Sequence, residues 1–226
     1  MPHDYALAEK SRQRISTKPK EAEGRAAFEP GTLGKIDKVV RERSGLRSIA
    51  NKAYPQLKLP IDVIYMLERI RWDSYILLPL DPELSPKIPA GKFTFVVLSE
   101  APLDILCFEQ DEIWMRKDLR ERANGPINYG HSSLAYKESG LSDPQVPADQ
   151  RRANAAKPVM LAGHLYFHED ENPTQGGGAL LSWDNNSGHF KPTTEESLGN
   201  RIGIVKSLLP AEKFVPINLA GGRNVA

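Results

Sequence analysis

The chain has one cysteine, little excess of charge of either sign and no long uninterrupted apolar run. Cys107 has no second cysteine to pair with, which excludes an intramolecular disulfide and fits a reducing compartment. Because Cys107 lies in the apolar run LDILCF, we expect a buried and unreactive thiol. The net charge of +1 argues against nucleic acid or an anionic membrane as the main partner.

Membrane insertion and classical secretion are also poorly supported by the sequence. The N-terminus has no apolar segment of the secretory type, and the most apolar stretch, residues 61–80, is interrupted by acidic and basic side chains. A membrane-spanning helix needs about 20 predominantly apolar residues. We therefore expect no membrane span, and a protein that is cytoplasmic or exported without a Sec signal.

The first third of the chain is predicted to be an arm followed by helices. Residues 1–31 are polar, with basic side chains concentrated near the start, and we expect a partly flexible arm that could also contact an acidic partner. Residues 32–80 form a predicted helical region. It contains one helix over residues 33–52 and a second that begins at Pro60 and runs through Ile70. Residues 75–80 could turn into a strand.

A proline-rich linker at residues 81–91 marks a change of pattern, and the following residues 92–216 are predicted to form an α+β core domain. The predicted strands are rich in β-branched and aromatic residues: 92–99, 103–108, 112–115, 159–168 and 179–183.

A closing helix is predicted over residues 193–209, with a capping box made by Thr193 and Glu196, and residues 217–226 form a tail. The predicted fold class is therefore α+β, with N-terminal helices followed by an antiparallel sheet and a closing C-terminal helix.

Metal and nucleotide sites are not predicted. His164 and His168 form an H-x-x-x-H pair, but their context is that of a strand, where residues four apart lie roughly 13 Å from each other. The glycines at 176–178 lack the lysine and spacing of a phosphate-binding loop. The sequence therefore identifies no metal ligands and no cofactor.

Two short motifs, HSS and SGHF, combine histidine with serine hydroxyls and carry the candidate site. Histidine and serine can pair a base with a nucleophile, or can hydrogen-bond only to hold a sharp turn in which Gly188 supplies a positive φ. Both interpretations stay open. The candidate catalytic residues are His131, Ser132, Ser133 and His189, and the candidate binding residues are Tyr129, Trp183, Asn186, Ser187 and Gly188. We expect the two histidines on one side of the sheet, near Ser132 or Ser133, with Trp183 close by.

The order of the motifs KFTFVVLS, GHSSL, PVMLAGHLYF, LLSW and NSGHFKPTTEESL resembles the C-terminal core of the plant IQM-type calmodulin-binding proteins and of microbial relatives. The resemblance covers roughly residues 92–216. It departs from the family in an insertion at residues 134–157. Residues 1–91 also contain no IQ motif, so calmodulin binding is not carried over.

Three functions are compatible with these observations. The first is an effector- or toxin-like group-transfer enzyme, because the succession of strands and motifs loosely echoes ADP-ribosyltransferase cores, although a Glu-x-Glu pair on a strand is missing. The second is a non-catalytic binding or regulatory module that recognises a protein partner through its N-terminal region. The third is a component of a larger assembly that uses its proline-rich loops and arms.

Overall fold

The computed structural model describes seven stretches of the chain, and all structural statements refer to them. They are residues 48–50, 57–71, 74–122, 129–137, 156–169, 178–201 and 208–217.

The described residues form one mixed sheet of seven strands, in the order β2-β1-β4-β3-β5-β6-β7. The strands are β1 Tyr65–Arg71, β2 Ser74–Pro79, β3 Gly91–Leu98, β4 Leu106–Glu109, β5 Val159–Phe167, β6 Leu180–Asp184 and β7 Phe214–Val215. All neighbours are antiparallel except β6 and β7, which are parallel. Thus β1 and β2, which precede the proline-rich segment, share a sheet with the strands that follow it.

The helices of the described residues are short. They are α1 Gln110–Met115, α2 Lys117–Arg122, α3 His131–Leu134 and α4 Thr194–Gly199, with 3-10 turns at Ile61–Val63 and Ala211–Lys213. No described helix is long and apolar enough to cross a membrane.

The predicted fold class is wrong, because strands dominate and the region expected to hold the second N-terminal helix is β1. The apolar residues there also fit a helical spacing, but Tyr65 and Leu67 are buried while Met66 and Glu68 between them are partly exposed. That alternation is the signature of a strand. Pairing with both β2 and β4 outweighs the weak local preference for helix.

Most of the helix predicted over residues 33–52 lies outside the described residues. Among its described positions, 48–50, Ile49 forms an antiparallel bridge with Val159, with N···O distances of 2.7 and 2.9 Å. Ile49 is buried. At this position the chain therefore pairs with the first residue of β5, at the end of that strand with which β6 does not pair.

Later elements were predicted more successfully. The strands expected at 92–99, 159–168 and 179–183 are confirmed as β3, β5 and β6, and the strand at 103–108 is confirmed in part as β4. The strand expected at 112–115 is wrong, since these residues belong to α1.

The closing helix is shorter than predicted. The capping box is confirmed, because Thr193 Oγ1 accepts from the Glu196 amide at 3.1 Å and Glu196 Oε2 accepts from the Thr193 amide at 2.8 Å. The helix ends at Gly199, and residues 202–207 lie outside the described residues.

The sheet has a face that packs aromatic side chains and a face that carries helices. Consecutive strand residues point to opposite faces, so Phe93 and Phe95 of β3 lie on the aromatic face and Thr94 and Val96 on the helix-bearing face. The aromatic face is the main core, with edge-to-face ring contacts around Phe167 and Trp183. The helix-bearing face packs against α1, α2 and α3 and carries the site.

Candidate functional site

The HSS motif forms α3, a single helical turn above the helix-bearing face. Its N-terminus is held because the Gly130 amide donates to Ser133 Oγ at 3.1 Å. Ser132 and Ser133 are buried, and Leu134 packs in the apolar cluster of this face. The Ser133 hydroxyl therefore has a structural task.

His131 is the first residue of α3, and its ring is fixed by the neighbouring strand. Its Nε2 donates to the carbonyl oxygen of Gly163 on β5 at 2.9 Å, which leaves Nδ1 unprotonated in the neutral ring. Burial, followed by the nearby charge of His164, lowers the pKa of His131 to about 3, against the opposing effect of the Gly163 hydrogen bond. His131 is therefore neutral at physiological pH.

His164 lies beside His131 on the helix-bearing face, with 5.2 Å between the ring centroids. It is buried and sits opposite Thr94 of β3. Its Nδ1 is 3.2 Å from Asp184 Oδ1, in the geometry of a ring N–H donating to a carboxylate. Within the described part of the chain, Nε2 of His164 has no hydrogen-bond partner. His164 thus presents an unengaged acceptor nitrogen.

Asp184, the last residue of β6, organises the site around its buried carboxylate. Its Oδ1 accepts from the amides of His164 at 2.8 Å and Asn186 at 2.9 Å as well as from the His164 ring, and its Oδ2 accepts from the Tyr166 hydroxyl at 2.9 Å. Burial by itself raises the pKa of Asp184, but the hydrogen bonds from His164 and Asn186 outweigh it and lower the pKa. The carboxylate is therefore ionised and orients His164.

Tyr166 extends the site toward solvent. Its ring lies 6.2 Å from the His164 ring, and its side chain is partly exposed. Burial and the hydrogen bond to Asp184 raise its pKa to about 12. The hydroxyl is therefore protonated and serves as a donor at neutral pH. On the neighbouring strand, Lys92 faces Tyr166 in register.

Gly163 allows the chain after β6 to cross close to β5. A Cβ built at Gly163 would lie 1.9 Å from the carbonyl oxygen of Asp184. Only glycine permits that approach, because a side chain would displace the backbone that carries the Asp184 carboxylate. Gly163 therefore both accepts from His131 and makes room for Asp184.

The SGHF motif lies in a turn closed by buried polar side chains. Ser187 Oγ accepts from the Phe190 amide at 3.3 Å. Asn185 donates to the carbonyl of Pro192 at 2.8 Å, and its side-chain oxygen accepts from the amide of Ile217 at 2.7 Å. The expectation that Gly188 supplies a positive φ is wrong, because the left-handed residue of this turn is Lys191, with φ of 49°.

The two motifs lie on the same side of the sheet, as Phe190 and Leu134 share the apolar cluster of the helix-bearing face. His189 is partly exposed and close enough for its charge to lower the pKa of His131. Trp183 does not join them. It lies on the aromatic face, where its ring packs 4.3 Å from Phe214 and its Nε1 donates to Pro210.

The other candidate binding residues are distributed around the site. Tyr129 is buried, and its hydroxyl donates to the carbonyl of Leu119 at 3.4 Å, which ties α3 to α2. Asn186 is partly exposed, and its amide donates to Asp184. Gly188 is exposed, with open space around it.

Three residues of the site were missed by sequence reasoning: His164, Tyr166 and Asp184. His164 was weighed only as a metal ligand paired with His168, which is exposed just after β5. A signal was present, because the alternation along β5 places His164 and Tyr166 on one face. Asp184 stands where a strand meets the turn sequence DNNSG, a position typical of an aspartate that bonds the backbone two residues on.

The donor set favours acid–base chemistry. No group of three or more His, Cys, Asp or Glu side chains that could hold a metal ion occurs among the residues that the structure describes. A histidine oriented by a carboxylate at Nδ1 can accept a proton at Nε2, and the carboxylate then stabilises the imidazolium.

Comparisons with models of protein families, with curated proteins and with solved structures found no match to this chain. The resemblance to the IQM core therefore stays a prediction.

Proposed function

We propose that this chain is a group-transfer enzyme of the effector or toxin type, with His164 as its general base. The observation that carries the proposal is the buried His164–Asp184 pair. Nδ1 of the ring is engaged by the carboxylate, and Nε2 has no partner among the described residues. A purely structural histidine usually has both nitrogens engaged when it is buried.

The proposed step is a transfer to a hydroxyl-bearing acceptor or to water. The acceptor oxygen gives its proton to Nε2 of His164 and forms a bond to the electrophilic centre of the donor, while the bond from that centre to the leaving group breaks. The leaving group departs with the bonding electron pair and is protonated by the imidazolium, which restores neutral His164. Asp184 stays ionised throughout, and Tyr166 keeps it in place through the bond to Oδ2.

His131 has a positioning role in this proposal. It is buried and donates to a backbone carbonyl, so it contacts the His164 ring without offering a free donor to a substrate. Its neutral state keeps a second positive charge away from His164 when that ring accepts a proton. The effector or toxin setting rests on the analogy with group-transfer toxins and on the motif order.

The alternative is a non-catalytic module that binds a protein partner. It is favoured by the structural tasks of the motif hydroxyls, since Ser133 and Ser187 hold the starts of their own turns. In that case His131 and His164 would specify the local fold. The two proposals predict different effects on activity when Nε2 of His164 is removed.

The test is expression of matched variants in a host cell, with growth arrest as the readout. His164→Asn keeps a side-chain N–H near the position of Nδ1 and removes Nε2, so Asp184 keeps a donor. We expect the wild type to arrest growth and His164→Asn to be harmless at equal abundance and thermal stability. An equally toxic His164→Asn, or a wild type without effect on growth, would contradict the proposal.

The variant His189→Ala provides a second test in the same growth assay. This residue is partly exposed, and its charge acts on His131. If it contacts substrate, its replacement should reduce the growth effect with little change in the thermal midpoint. If its role is structural, the same change should destabilise the fold by roughly 1–3 kcal/mol.

A further inference from the structure

A lysine without an acidic partner lies at the exposed side of the site. Lys92 of β3 is partly exposed, and its Nζ is 5.7 Å from the centre of the Tyr166 ring. Within the described part of the chain, no carboxylate forms an ion pair with Lys92. The carboxylate of the site, Asp184, already accepts four hydrogen bonds.

Lys87 and Arg116 show the more usual situation, in which a cation is neutralised by carboxylates. Lys87 contacts Glu109 at 2.8 Å and Glu112 at 2.9 Å on the aromatic side of the sheet. Arg116 is paired with Asp62 and Asp118. Lys92 differs from them, because its contact in the site is the face of an aromatic ring, which orients a cation and leaves its N–H donors available.

Lys92 and His164 are linked through Tyr166. The Tyr166 ring is within 5.7 Å of the Lys92 ammonium and 6.2 Å of the His164 ring. Lys92 faces Tyr166 across the β3–β5 ladder, and the next pair on the same face is Thr94 with His164. A group bound at Lys92 therefore lies two strand positions, roughly 7 Å, from the pair that holds the proposed base.

We propose that Lys92 binds a phosphate group of the substrate, so that the transferred group comes from a phosphate-bearing small molecule. This inference rests on the proposed function for the role of the bound molecule. A lysine ammonium binds phosphate as a compact point charge, while the planar fork of arginine binds phosphate and carboxylate alike. The substrate must also be narrow where it reaches His164, which is only 6% exposed.

The experiment uses the full chain and inorganic pyrophosphate as the probe, at constant ionic strength, with binding followed by NMR of backbone amides. We expect localised shifts at residues 92, 164 and 166 in the wild type. Lys92→Met should weaken binding at least about tenfold, which corresponds to about 1.4 kcal/mol. Lys117→Met is the matched control, because it removes the same charge from an exposed α2 side chain and should bind as the wild type does.

Several results would overturn the phosphate site. The first is an equal affinity of Lys92→Met and the wild type for pyrophosphate. The second is a set of amide shifts spread over the surface lysines. The third is an affinity for acetate as high as that for pyrophosphate. Lys92→Gln provides a second neutral variant, so that a folding defect of one substitution does not decide the outcome.

Failure of the phosphate site can be separated from failure of the proposed function. Growth arrest that requires His164 but tolerates Lys92→Met would overturn only the phosphate site. Pyrophosphate binding that requires Lys92, in a protein whose His164→Asn variant still arrests growth, would overturn only the acid–base role.

Discussion

His131 and His164 lie with their ring centroids 5.2 Å apart, yet their surroundings protonate opposite ring nitrogens. His131 donates from Nε2 to the carbonyl of Gly163, and His164 donates from Nδ1 to Asp184. Two adjacent, buried imidazoles therefore differ in which ring nitrogen is engaged. Nε2 of His131 is hydrogen-bonded to the backbone, whereas Nε2 of His164 has no hydrogen-bond partner among the described residues.

Gly163→Ala should destabilise the protein by about 2–3 kcal/mol, because the added Cβ would lie 1.9 Å from the Asp184 carbonyl and the backbone must shift. Urea unfolding measures the change. Gly188→Ala is the control, since nothing lies within 4 Å of its Cβ and its φ is not positive. We expect that variant to stay within about 1 kcal/mol of the wild type. Equal stabilities of the two variants would refute the close approach.

The stability of the protein should fall as the pH is lowered through the range in which unfolded His131 is protonated and folded His131 is not. The pKa of His131 drops from its ordinary 6.5 to about 3 on folding, so the unfolded state binds more protons between these values. One such proton contributes a slope of up to about 1.4 kcal/mol per pH unit.

His131→Gln keeps a donor for the Gly163 carbonyl and removes the titration, so its unfolding free energy should depend less on pH between about pH 4.5 and about pH 6. Asp184 does not confound this window. Its pKa is lowered from 3.8, so the stability that it contributes above 3.8 is lost only as the pH falls further, through its folded pKa. Identical slopes for the variant and the wild type would contradict the neutral, buried state of His131.

The insertion between α3 and β5 should tolerate shortening. Its ends are already joined, because Tyr136 and Ala156 form an antiparallel bridge and the Lys157 amide donates to Ala135 at 2.6 Å. Deleting residues 139–152 and closing the gap with glycine should therefore cost little, since loop closure changes by only about 0.6 kcal/mol per doubling of length. A loss of more than about 2 kcal/mol in urea unfolding would show that the segment packs against the domain.

The sequence was informative where local chemistry decides the structure. The capping box of Thr193 and Glu196 and the strand character of β3, β5 and β6 follow from side-chain type and spacing, and both are confirmed. The two histidine motifs were expected on one side of the sheet because each follows a predicted strand, and Phe190 and Leu134 do share one apolar cluster.

Long-range pairing was beyond sequence reasoning. The apolar residues of β1 fit a helix as well as a strand, and only pairing with β2 and β4 selects the strand. The site shows the same limit. The Asp184 carboxylate accepts from the His164 amide in place of a backbone carbonyl of the neighbouring strand. That contact exists only because β6 lies beside β5 and because Gly163 has no side chain to block the backbone of Asp184. No local motif encodes such a relationship.

The protonation of the two rings tests the central claim most directly. Nitrogen NMR of protein labelled at histidine, recorded near pH 8, reports which ring nitrogen carries the proton. We predict that His164 is protonated on Nδ1 with an unprotonated Nε2, that His131 is protonated on Nε2, and that Asp184→Asn alters the His164 signals far more than those of His131. A His164 ring protonated on Nε2 would contradict the account, because the proposed base would then have no lone pair to accept a proton.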